Sequence, residues 1–153
     1  MKTKIHLLAG LIATLTIATF LISTLLVELF GDHATIAQIK SLIVMPGLFI
    51  LIPALAITGA TGFSLSQSRT GRLVENKKRR MPLIAANGIL ILLPAAIMLN
   101  LWAAAGVFDT YFYVVQTIEL IAGPINLILM GLNIRDGWKL TGRFGTKRQE
   151  VTS

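Results

Sequence analysis

Four apolar runs constrain this chain more than any other feature: Ile5 to Phe30, Ala34 to Phe63, Pro82 to Gly106 and Thr110 to Ile134. A helix needs about 20 apolar residues to cross the hydrocarbon core of a bilayer, and each run is long enough. The spacing predicts an all-α protein, an integral membrane four-helix bundle forming one domain over residues 1–153. Strands of a membrane barrel would alternate polar and apolar residues over about ten positions, and these runs do not. The chain is 54% hydrophobic and 14% charged, whereas a soluble domain carries about 25% charged residues. That excludes a soluble globular fold.

The first run follows Lys2 and Lys4, as the apolar stretch of a signal peptide would. It continues far past the roughly 7 to 15 residues of such a segment, and no clean small-residue cleavage site follows, so it reads as a span.

Basic residues set the orientation. Lys2 and Lys4 precede the first run, Arg69, Arg72, Lys77, Lys78, Arg79 and Arg80 lie between the second and third, and Arg135, Lys139, Arg143, Lys147 and Arg148 follow the fourth. Of the 14 basic residues only Lys40 falls elsewhere. The excess of Lys and Arg on cytoplasmic loops then puts both termini, the loop 64–81 and the tail 135–153 in the cytoplasm of a bacterial-type inner membrane. Short outer turns carry Asp32 and Asp109 and force an up-down-up-down order. The net charge of +7 is thereby read as topology and as contact with anionic lipid headgroups, not as nucleic-acid binding. In the tail, Trp138, Leu140 and Phe144 alternate with basic residues, which predicts a last helix continuing into the headgroup layer.

Polar residues in hydrocarbon turn inward, so their spacing marks the interior face of each helix. In the fourth run Gln116, Glu119, Gly123, Asn126, Met130 and Asn133 recur every three or four residues, on one seam. The first run has His6, Gly10, Thr14, Ile17, Leu21, Thr24 and Glu28; the second Lys40, Gly47, Ala54, Thr58 and Thr61; the third Asn87, Pro94 and Met98. These faces are predicted to line the core, or simply to let helices approach and hydrogen-bond one another.

Depth divides the seams into two layers. The outer one holds Glu28, Lys40, Gln116 and Glu119, and an ion-pair cluster of Glu28, Lys40 and Glu119 would relieve the cost of charge at that depth. Lys40 snorkelling to the outer headgroups is the alternative. The inner layer holds His6, Thr58, Thr61, Asn87, Asn126, Met130 and Asn133 together with Gly10, Gly59, Gly62, Gly88 and Gly131. Either the helices close tightly on these glycines, or the missing side-chain volume leaves room for a flat prosthetic group beside His6.

Cysteine is absent and histidine is limited to His6 and His33. This removes disulfides, thiolate metal sites and cysteine nucleophiles. The two histidines bracket a helix and stand about 40 Å apart along it, so they cannot both ligate one haem within a protomer. No Ser/His/Asp set, phosphate-cradling glycine loop or multi-carboxylate metal site is present, and enzyme chemistry is not expected.

The opening Lys4-Ile5-His6-Leu7-Leu8-Ala9-Gly10 resembles the K-x-H-x-x-A start of the first helix in small bacterial four-helix membrane proteins, among them copper-resistance-D-like proteins and membrane b-type cytochromes. The resemblance implies a haem b ligand role for His6 as the metal-binding residue. The cofactor-binding set would then be His6, Gly10, Thr58, Gly59, Gly62, Asn87, Asn126 and Met130, with basic residues pairing the propionates. Met130, Met81 or a second protomer would supply any second ligand. Three functions therefore stand at this point: a cytochrome-like haem protein, a non-catalytic accessory membrane subunit, and a small transporter or channel using Glu119 or Glu28. Each is compatible with a homo-oligomer, for instance a dimer.

Overall fold

A computed structural model describes residues 2–67 and 71–140. It is helical throughout, with no strand among the described residues. The helices are α1 (Lys2–Phe30), α2 (His33–Leu42), α3 (Leu48–Gln67), α4 (Arg72–Asn87), α5 (Leu93–Ala104) and α6 (Thr110–Leu140). Because α2 runs into α3 and α4 into α5, they form 4 long rods, each long and apolar enough to cross a membrane.

Local chemistry sets the ends. Asp32 caps α2: its Oδ1 accepts from the Thr35 hydroxyl at 2.7 Å and the Thr35 amide at 2.8 Å, and these bonds hold its carboxyl below the usual carboxylate range. Asp109 Oδ1 caps α6 by accepting from the Phe112 amide at 3.0 Å. Gly106 ends the third rod at φ +71 and Gly71 precedes α4 at φ +122, conformations that glycine adopts without steric cost.

Two rods are interrupted. Between α2 and α3 the chain breaks at Met45 (φ −139, ψ 110), before Pro46, which has no N–H for the helical ladder. Gly47 lets Phe20 in, since a Cβ there would lie 2.5 Å from the Phe20 ring. Between α4 and α5 the turn Gly88–Leu92 is widened, with the Leu93 N–H bonding the Gly88 carbonyl five residues back. Pro94 follows directly; it can neither donate to the carbonyl four residues earlier nor tolerate it at helical distance.

The widened turn corrects one expectation. Pro94 and Met98 were predicted to face the core with Asn87, but both are exposed, and the buried face of α5 is Ala95, Ala96, Leu99 and Ala103. A turn closed over five residues instead of four adds one residue, so every position beyond it shifts by one. A second difference lies in the segment 64–81, read from sequence as a basic loop. Helix covers 64–67, and Arg72 to Met81 belongs to α4, because Leu, Glu, Lys and Arg are good helix formers. The basic run therefore rides on the third rod. Of the predicted tail anchor, α6 extends through Leu140, while Phe144 lies outside the described residues.

α1 packs against α3, α6 and α2; α5 packs against α2 and α6; α4 packs against α6. Contacts between the first two rods include His6 with Thr58, Phe20 with Gly47, and Thr24 with Lys40. Between the last two, Arg80 meets Asp136 and Asn87 meets the Ala122 carbonyl. One apolar cluster, Ala13, Ile17, Leu48, Leu51, Ala54 and Met130, fills the half nearer His6; a second, Ile36, Leu99, Ala103 and Phe112, fills the half nearer Asp32 and Asp109. Large apolar side chains cover the outside, Leu15, Phe49, Leu90 and Ile128 among them.

Candidate functional site

Between the two apolar clusters lies a charged layer. Lys40 is 0% exposed, and its Nζ donates to Glu119 Oε2 at 2.6 Å and to Thr24 Oγ1 at 3.5 Å. Gln116 Nε2 donates to the same Glu119 oxygen at 3.2 Å. Three rods thus meet at one ammonium, with Thr24 on the first, Lys40 on the second and Glu119 on the fourth. The pair joins the second rod to the fourth.

Glu28, one turn beyond Thr24 on α1, lies within electrostatic reach of Lys40, Glu119 and His33. Its Oε1 is buried without a hydrogen-bond partner among the described residues, as is Gln116 Oε1. One ammonium therefore faces two carboxylates and bonds only one. The second carboxylate offers that ammonium an alternative partner. Beside Glu119 is a cavity of about 50 Å³, bordered by Thr24, Leu92, Leu120 and Gly123. A single water needs about 10–15 Å³ of such space.

The His6 pocket is built differently. His6 Nδ1 lies 3.1 Å from the Thr58 carbonyl oxygen and 3.0 Å from Thr61 Oγ1. The Thr61 hydroxyl hydrogen is directed to the Ile57 carbonyl at 2.6 Å, so Nδ1 is assigned as the donor to both and Nε2 keeps its lone pair. Gly62 makes room for this packing: a Cβ there would sit 2.8 Å from Met81 Cε and 3.0 Å from His6 Cε1. Gly10 is in ordinary contact range of Thr58, with 3.7 Å from a built Cβ to Thr58 Cγ2. Gly59 and Gly131 would meet nothing within 4 Å.

Of the sequence-predicted haem set, the structure brings together His6, Gly10, Thr58 and Gly62, with Met81 added. Asn87, Asn126 and Met130 belong to other contacts: Asn87 Nδ2 donates to the Ala122 carbonyl at 2.9 Å, Asn126 Nδ2 lies 3.9 Å from a Cβ built on Gly88, and Met130 sits in the apolar cluster. His6 offers a ligand nitrogen, but the space for a ring does not fit. Met81 fills the Gly62 face beside the imidazole, the cavity at Glu119 does not reach His6, and the apolar groove of about 360 Å³ between Ile5, Ile12, Phe49, Pro53 and Ile57 is not lined by it. His33 stacks on Phe108 at 4.1 Å, joining the start of α2 to the turn before α6.

One polar site escaped the sequence reading. Asp136 is 1% exposed and accepts from Arg80 at 2.7 Å and from Arg135 at 3.3 Å, tying the basic run of α4 to the end of α6. Its signal was available, because Asp136 continues the α6 seam three residues past Asn133 and is the one acid among the basic residues there. Comparison with protein-family models, curated proteins and solved structures finds no match to this chain.

Proposed function

We propose that the chain is a multi-pass protein of a bacterial-type inner membrane that carries protons across it as a homo-oligomer, with Lys40, Glu119 and Glu28 as the charge-handling centre. In this reading the bundle is up-down-up-down with both termini cytoplasmic, and the basic residues around Arg72, Lys78 and Arg79 meet anionic headgroups. Support for the insertion comes from the apolar exterior of all 4 rods and from the one-sided basic residues. Support for the order comes from the paired contacts along neighbouring rods, His6 to Thr58 through Thr24 to Lys40.

The observation that carries the functional reading is a fully buried Lys40 bonded to Glu119 while a second carboxylate, Glu28, has an oxygen without a partner among the described residues. A merely structural buried pair is normally completed by further hydrogen bonds, because desolvation offsets much of its attraction. Intramembrane ionisable groups otherwise mark ion or proton pathways.

The test is proton flux in liposomes loaded with a pH-sensitive dye and driven by a potassium diffusion potential. Parent protein should acidify or alkalinise the lumen with the imposed sign, and Glu119→Gln should lower the rate about tenfold or more, in the range typical for loss of a proton-transfer group. Parent vesicles no leakier than protein-free ones would overturn the proposal. A haem b reading keeps one supporting observation, the His6 ring held through Nδ1 with Nε2 open, the orientation that second-shell bonds give to ligating imidazoles. A Soret band in protein purified from iron-replete cells, lost in His6→Ala, would establish it. An inert, colourless protein would instead leave the accessory-subunit reading.

A further inference from the structure

Beyond the charged layer, α6 carries a second group that its surroundings leave unbonded. Asn126 is 1% exposed, and neither its Oδ1 nor its Nδ2 has a hydrogen-bond partner among the described residues. Buried side-chain amides are almost always bonded to protein or to ordered water, and nothing apolar can serve. The neighbours are suited to water. Gly88 opens the widened turn of the third rod opposite Asn126, and such turns recur at functional sites. Leu92, the last residue of that turn, and Gly123, one turn before Asn126, both border the cavity at Glu119. Past Asn126 the α6 seam continues to Met130, which is packed in the apolar cluster, and then to Asn133, whose Oδ1 is also buried without a partner among the described residues.

We infer that Asn126 binds internal water continuous with the Glu119 cavity, forming the cytoplasmic half of a hydrated proton path that Met130 closes with an apolar constriction before Asn133. The inference rests on the transport reading for its purpose, though the hydration itself is measured separately. Along such a path each water passes one proton onward and receives one from behind. A proton leaving Glu119 is therefore matched by one delivered at the Asn133 level, and the amides only orient the chain of waters. Met130 suits a constriction because its unbranched thioether side chain repacks easily.

The natural absence of cysteine allows a direct test on the full chain. Single substitutions Asn126→Cys, Asn133→Cys, Ile125→Cys and Ile128→Cys are made, and silver ion, which reacts with hydrated thiols, is added to the cytoplasmic side of inside-out membrane vesicles. The unreacted thiol is then counted by maleimide mass shift. Ile125 and Ile128 are exposed on the outside of the bundle, where lipid excludes water, so the thiol at 126 should react about tenfold or more faster than theirs. The thiol at 133 should react faster still. Adding Met130→Ala to Asn126→Cys should raise its rate several-fold without changing the two outer positions.

A thiol at 126 that reacts no faster than those at 125 and 128, with or without Met130→Ala, overturns the inference whatever the flux assay gives. A reactive thiol at 126 in a protein that moves no protons sustains the hydrated chamber and removes the transport reading alone. Asn133→Cys guards against a fold defect: normal reactivity there with an unreactive 126 counts against the chamber.

Discussion

Two polar sites lie about five turns apart along α1, and they are satisfied in different ways. At His6 the bonds are local and neutral: one imidazole nitrogen serves a carbonyl and a hydroxyl of α3, and Gly62 brings ring and Met81 into close packing. At Thr24 and Glu28 the partners come from two other rods and are charged, and the bonding is incomplete, with orphan oxygens on Glu28 and Gln116 and a cavity alongside. Small residues and neutral bonds are how helices close in a membrane. An under-bonded charged layer stores the means to rearrange, since each unmade bond is an alternative position for a proton or an ammonium. The contact of Gly62 with His6 and Met81 thus reads as closure, and the charged layer as the place where bonding among the described residues is incomplete.

The largest effect separating the two sites should come from Lys40→Met. It leaves the mostly buried Glu119 without its cation, and breaking one side of a buried pair costs about 3–5 kcal/mol, with the lower end applying to a carboxylate 15% exposed. Removing both charges with Lys40→Met and Glu119→Gln should restore much of that loss, because the unpaired charge is gone. Thermal unfolding in detergent reads both variants. With Glu119→Gln alone measured as well, a double-variant loss equal to the sum of the two single losses would mean that the pair contributes no coupling, and the contrast with His6 would fail.

The same contrast explains what could be read from sequence. The α6 seam was legible because Gln116, Glu119, Asn126 and Asn133 recur at helical spacing in an otherwise apolar run, and the face they mark is the buried one except where Asn133 and Glu119 reach partial exposure. The face of α5 was not legible beyond Gly88. Periodicity assumes an unbroken turn, and Pro94 forces an extra residue that moves burial from Pro94 and Met98 to Ala95 and Leu99. For the glycines, sequence left closure and vacancy open, and only the neighbours decide: Gly62 faces Met81 and His6, while Gly59 faces nothing within 4 Å. Asp136 was hidden by its basic surroundings, which made its segment look like a solvated tail although it stands on the seam.

Smaller effects should follow at the closed site. Gly62→Ala places a Cβ within 2.8 Å of Met81 Cε and 3.0 Å of His6 Cε1, an overpacking that costs about 1–3 kcal/mol where neighbours cannot yield. Met81 is flexible, so the lower part of that range applies. Gly59→Ala meets nothing and should be neutral or slightly stabilising, as Ala is favoured over Gly in helices by about 0.5–1 kcal/mol. His6→Ala, the smallest loss, gives up neutral bonds to Thr58 and Thr61 worth about 1 kcal/mol in net terms. Its interaction with Gly62 sharpens the point. If the imidazole is packed against Gly62 as closure requires, His6→Ala frees one of the two obstructions, and Gly62→Ala should then cost less in that background than in the parent. Unfolding in detergent across the four-member cycle measures the difference. An additive cycle would mean that ring and glycine do not press on each other, and the His6 pocket would then have slack that the neutral, tightly closed side of the comparison excludes.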